Sequence, residues 1–247
     1  MFYVYDLRFQ PFNKENMEEL LWLINNIPSA DRIIIGVVLP APTQMDSADL
    51  TSGWRRFRKE YNPLSYWQRY QIIMKVIQEL NCAEKIAGIV PLPRPSVNMK
   101  NAENYLPPKT ERILCVPLLY NDALEETKIS GLESQGEQLL EIPAYNFKPE
   151  VRIIFPELIT CLIALNDNSW KQYVPNVIIE YLDEIDIVSL VTKNFLFSDA
   201  KEALRKIYAQ IKEPSLKSLM DDRFSKHLEA ELQHSNIKKM PRRDVFN

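Results

Sequence analysis

At 247 residues, 46% hydrophobic and 26% charged, the chain can bury a full core and fits one domain plus an extension better than two complete domains. Its formal net charge of −3 argues against a general nucleic-acid binder, which is usually basic overall. No run approaches the ~18 apolar residues of a membrane span, and no basic segment followed by an apolar stretch opens the chain, so no membrane association and a cytoplasmic location are expected. Cys82, Cys115 and Cys161 are widely spaced in apolar surroundings and read as reduced, buried thiols with no metal-ligand spacing.

In chain order, Phe2–Leu7 is a short apolar strand. A helix opens near Lys14 and carries Met17, Leu20, Leu21, Leu23 and Ile24 on one stripe until Pro28 and Asp31 close it. Arg32–Leu39 is a continuous apolar run, the mark of a parallel strand buried on both faces. Strand, helix and strand make a βαβ unit with a right-handed crossover. Residues 40–63 form a long loop containing Trp54, Arg55, Arg56 and Arg58. A second amphipathic helix follows over 65–80, with Ser65 as its N-cap. Further strands are predicted over 85–92, 112–119 and 138–143, with a proline-containing connection over 93–108 and a polar, partly helical turn over 122–136. This alternation predicts an α/β fold, a Rossmann-like parallel sheet of five or six strands. The text over 155–184 reads as closing helices. Two amphipathic helices over 198–212 and 215–233 flank Pro214, and the tail from 236 is basic. The expected division is a domain over 1–185 and a helical extension over 186–247.

A strand running straight into a helix N-terminus presents free backbone N–H groups and a positive dipole end, which suits a phosphate. The words at that junction resemble the first motif of the nucleotidyltransferase superfamily, most closely that of the nicotinamide-mononucleotide adenylyltransferases. There the strand leads into Gly-Arg-Phe-Gln-Pro-Phe-His-x-Gly-His. Here Arg8, Phe9, Gln10, Pro11 and Phe12 are kept, Leu7 replaces the glycine, and Asn13-Lys14-Glu15-Asn16 stands where the family has its histidines. The segment Asn62-Pro63-Leu64-Ser65-Tyr66-Trp67-Gln68-Arg69 resembles the family's Asn-Pro-Phe-Thr-x-x-Glu-Arg, with Gln68 in place of the glutamate and Arg69 retained. The family's Ser-x-Thr-x-x-Arg, which grips the ATP phosphates, falls on Pro156, Leu158 and Cys161. Five glycines in the whole chain are also few for a fold that brings backbone close to phosphate.

The resemblance covers 1–185 and implies a nucleotide-shaped pocket, with Arg8, Gln10, Asn13, Asn16, Arg69, Trp54 and Arg56 as its binding residues. Arg8 reads either as a phosphate ligand or as the partner of Asp6 or a neighbouring loop. Arg69 reads either as a ligand contact or as a tie between its helix and the loop above. The cluster around Trp54 and Arg56 reads as a base-stacking, phosphate-pairing loop or as a solvated or partner-covering one. Both histidines, His227 and His234, lie in the C-terminal extension. The leading reading is therefore a degenerate nucleotidyltransferase-like protein that binds a nucleotide or a protein partner without adenylyl transfer. The C-terminal helices would serve as an interaction surface and the protein would form a homo-oligomer, as is common in the family. The alternative is an active transferase using ATP and magnesium, with Asn13, Lys14 and Asn16 as its donors. A third reading has the pocket filled by Trp54 or Leu7. No Gly-x-Gly-x-x-Gly, no phosphate-loop signature and no Ser-His-Asp set occurs.

Overall fold

The computed structural model describes residues 1–39, 58–93, 95–118, 123–147 and 156–210. Five strands, β1 (Phe2–Leu7), β2 (Arg32–Leu39), β3 (Ile86–Pro93), β4 (Arg112–Pro117) and β5 (Leu139–Ile142), form one sheet in the order β3-β2-β1-β4-β5. All four pairings are parallel, with Phe2 beside both Arg32 and Arg112 in register. This is the expected α/β Rossmann-like arrangement, with further helices toward the C-terminus. The apolar runs legible in the sequence are these strands, because a parallel sheet covered on both faces needs little polar alternation.

The sheet is central to two layers. On one face Tyr5, Ile33, Ile35, Val37 and Cys115 join a core with helices α1 (Lys14–Asn26) and α2 (Tyr66–Glu79). On the other, Val4, Ile34, Leu92, Leu114 and Val116 pack against Met99 and Ala102 of α3 (Pro95–Ala102) and Leu132 of α4 (Ala123–Ser134). Helix α3 lies in the stretch expected to be a proline-containing connection. Pro95 opens it at the first helical position, where a missing N–H is harmless, so the prolines there punctuate a helix instead of excluding one. The fourth strand also stops at Pro117, short of the expected 119. Gly36 is required where it stands: a Cβ there would lie 2.7 Å from Leu92 Cδ2 and 3.0 Å from Asp6 Cβ across the ladder.

The C-terminal helices build on the first face. Helix α5 (Glu157–Ala164) is buried along its entire length. It packs against α7 (Ile187–Thr192) and α8 (Phe197–Gln210), and α6 (Asn176–Glu184) packs on α2. Ile187, Val191, Phe195, Ala200 and Leu204 share one core with Ile33 and Ile159, so burial is continuous from the sheet to residue 204. The expected helix over 198–212 is α8; the one over 215–233, the basic tail and both histidines lie outside the described residues.

At the N-terminal end of the sheet, Arg112 and Glu137 are each 1% exposed at the side chain and form a two-pronged pair, Nη2 to Oε1 at 2.6 Å and Nε to Oε2 at 3.0 Å. Arg112 Nη1 also donates to the Pro107 carbonyl at 2.7 Å. Two buried charges satisfied this fully lock the start of β4 to the turn before β5.

Candidate functional site

The strand order reverses direction between β1 and β4, since β2 and β3 continue to one side and β5 to the other. In an open parallel sheet the crevice beyond the carboxyl ends of the strands at such a reversal is where ligands bind. Residues 8–16 follow β1 at that end of the sheet; Arg8 and Lys14 are half-buried and the others buried.

The exit is rigid. Phe9 takes a left-handed backbone, φ 52°, a conformation that costs a side-chain-bearing residue on the order of 1 kcal/mol and is held by packing. Its ring stacks on Phe12 at 5.3 Å and meets Tyr5 edge-on at 5.8 Å. The Gln10 amide closes a reciprocal pair with Leu64: Nε2 donates to the Leu64 carbonyl at 2.9 Å, and the Leu64 N–H donates to Oε1 at 3.0 Å. Gln10 thus fastens the segment before α2 to the β1 exit, and the Gln10–Pro11 bond within this turn is cis.

Asn13 and Asn16 stand where the resemblance implies histidines, and both amides are turned onto their own helix. The Asn16 N–H donates to Asn13 Oδ1 at 2.9 Å and the Asn13 N–H donates to Asn16 Oδ1 at 3.2 Å, a capping box that satisfies two orphan donors of α1. Asn16 Nδ2 donates to Glu19 at 3.4 Å. Lys14, between them, is half-buried. Below, the Tyr5 hydroxyl donates to Glu19, which is 2% exposed, and lies 3.3 Å from the Asn16 carbonyl. Burial, reinforced by the Glu19 carboxylate, pushes the Tyr5 phenol well above its ordinary value, so it remains a donor.

Arg8 and Arg69 are brought together, each in a different role. Arg69 is 2% exposed; Nη1 donates to the Arg8 carbonyl at 2.7 Å and the Val38 carbonyl at 2.9 Å, and Nε donates to the Ser65 carbonyl at 3.3 Å. One guanidinium thereby joins the ends of β1 and β2 to the N-cap of α2, where Ser65 and Gln68 form a second capping box. Burial, with the Arg8 charge behind it, pulls Arg69 down to about 10. The Arg8 side chain reaches instead to α5, where Nη2 donates to Glu157 Oε1 at 2.8 Å. The Glu157 side chain is 2% exposed, that of Arg8 13%.

Trp54, Arg55 and Arg56 lie outside the described residues. Arg58, the described member of that cluster, pairs with Glu60 at 2.6 Å. Glu157, Glu19 and Tyr5 were not among the expected site residues. A glutamate in a first helical turn, directly after Pro156, is a local sign that Glu157 occupies a helix start, but its partner 149 residues away has none. Among the described residues no group of three or more His, Cys, Asp or Glu side chains is placed to hold a metal ion.

These features define an α/β protein of Rossmann-like architecture whose strand order reverses between β1 and β4. A nicotinamide-nucleotide adenylyltransferase of Ignicoccus hospitalis (strain KIN4/I / DSM 18386 / JCM 14125) is 23% identical to the chain over 184 residues, 73% of this chain and 90% of that protein. No protein-family model matches the chain. The distant similarity agrees with the sheet order and the β1 exit in supporting a nucleotidyltransferase-like relationship.

Proposed function

We propose that this protein binds a nucleotide in the crevice beyond β1 and β4 and does not carry out adenylyl transfer. The observation that carries this reading is the capping box at the entry to α1. Nucleotidyl transfer is accelerated by cationic or protonatable donors placed around the α-phosphate as charge builds on it. Here the corresponding positions hold two neutral amides, 1% and 8% exposed, whose oxygens accept backbone N–H groups of their own helix. Loss of a single such donor lowers a rate on the order of 10²–10³. The rigid β1 exit, the retained Arg8 and Arg69 and the similarity to an adenylyltransferase support a surviving nucleotide-shaped crevice.

The test is calorimetry and thermal shift with a panel of nucleosides and nucleotides, with and without magnesium. A ligand that binds only the folded state raises the melting temperature. The expected result is a saturable shift with at least one member, lost or weakened at least ten-fold in Arg8→Ala. Absence of a shift with every member overturns the reading.

A further inference from the structure

We propose that Glu157 decides the ligand class of this crevice, admitting a nucleoside or nucleoside monophosphate and turning away a polyphosphate. The inference rests on the nucleotide-binding reading above and adds to it the chemistry of the ligand.

Arg8 directly follows the central strand, and its guanidinium reaches toward the crevice end of the sheet, where an incoming phosphate would seek a cation. A carboxylate of the chain itself is already bonded there at 2.8 Å. Three features make this more than a surface ion pair. The Glu157 side chain is 2% exposed, so the carboxylate cannot retreat into water without moving its helix. That helix, α5, is buried along its whole length and packed on α7 and α8, so the helix is not free to move. The carboxylate lies in the first turn of α5, where the helix dipole favours a negative charge, and so it holds there what a phosphate would otherwise gain.

A polyphosphate approaching Arg8 therefore meets a fixed like charge. It must either displace a buried carboxylate from its partner or lie beside it, and each added phosphate raises that penalty. A nucleoside brings no such charge, and a monophosphate brings it at one end only.

The experiment measures the affinities of adenosine, AMP, ADP and ATP for wild type and Glu157→Gln by calorimetry, without magnesium so that the ligand charge is not masked. Glutamine keeps the shape and one oxygen for Arg8. In wild type the affinity is expected to fall from AMP to ATP. In Glu157→Gln, ATP affinity should rise on the order of 10- to 100-fold, as expected for removing a like charge, with adenosine changed little. The wild-type series needs no variant to fold, and melting curves establish folding of Glu157→Gln. ATP binding wild type more tightly than AMP overturns the inference while leaving nucleotide binding intact, as does equal ATP affinity in the two proteins. No binding of any member to either protein also overturns the inference, and the wider nucleoside and nucleotide panel above then decides the parent reading separately.

Discussion

Both ends of the sheet carry a buried arginine–glutamate pair, and the two are built differently. At the N-terminal end Arg112 and Glu137 meet through two bonds, both side chains 1% exposed, with the spare guanidinium donor satisfied by the Pro107 carbonyl. At the C-terminal end Arg8 and Glu157 are joined at 2.8 Å, with the glutamate sealed and the arginine still 13% exposed. The first pair has the geometry of a fastener. The second has one face toward solvent, at the end of a parallel sheet where ligands enter. The same two residue types thus serve stability at one end and, on the reading proposed above, selection at the other.

The comparison gives graded predictions. The largest effect is expected from Glu137→Ala, which strands a buried guanidinium and should lower unfolding free energy by about 4 kcal/mol in urea titrations. Replacing the whole pair, Arg112→Met with Glu137→Leu, should recover most of that loss, because an apolar pair leaves no orphaned charge. Next, Arg69→Ala removes donors from the Arg8, Val38 and Ser65 carbonyls and should cost about 3 kcal/mol, with Arg69→Lys recovering only part of it, since an ammonium cannot reproduce the planar fork. Glu157→Gln should cost less, about 1 kcal/mol, since the amide oxygen can still accept from Arg8. If Glu157→Gln proved as damaging to stability as Glu137→Ala, the distinction between the two ends would collapse.

The last effect is confined to alkaline pH and is absent at neutral pH. The Tyr5 phenol is raised by burial and then by the Glu19 carboxylate, whereas in the unfolded chain it ionises near its ordinary 10.0. Above that value the unfolded state releases a proton that the folded state keeps. The stabilisation is therefore complete below pH 10 and is lost as pH rises toward the folded value. Its slope is about 1.4 kcal/mol per pH unit for one group. Tyr5→Phe removes that increment, so the stability gap between wild type and variant should narrow above about pH 10 and stay constant below it. Urea midpoints on both sides of that pH would show this; parallel curves throughout would contradict the assignment.

What could be read from the sequence was what is encoded locally. Arg32–Leu39 announces a buried parallel strand by its continuous apolar run, in which five of the eight residues are β-branched. Ser65 announces a helix start because a cap and its N3 partner Gln68 lie three residues apart. Helix α3 was hidden by its own punctuation, since prolines at 91, 93 and 95 mark an edge strand and a helix start as readily as a loop. The frame of the site was legible in Arg8 through Phe12, but its electrostatics were not. Arg8 with Glu157, Arg69 with the β1 and β2 carbonyls, and Tyr5 with Glu19 are each set by tertiary packing, and no spacing along the chain encodes them. The alternatives read for Arg8 and Arg69, an ion-pair partner and a tie from helix to loop, pointed to the kind of contact but not to Glu157 or the strand-end carbonyls.

The most direct measurement is a product assay on wild-type protein with labelled ATP, nicotinamide mononucleotide and magnesium, following pyrophosphate and dinucleotide together, with Arg8→Ala in parallel. The expected result is neither product above the uncatalysed background in either protein, while calorimetry on the same wild-type preparation detects a bound nucleoside or mononucleotide. Magnesium-dependent formation of both products by wild type, abolished in Arg8→Ala, would contradict it and make this protein a working transferase that uses donors other than histidine.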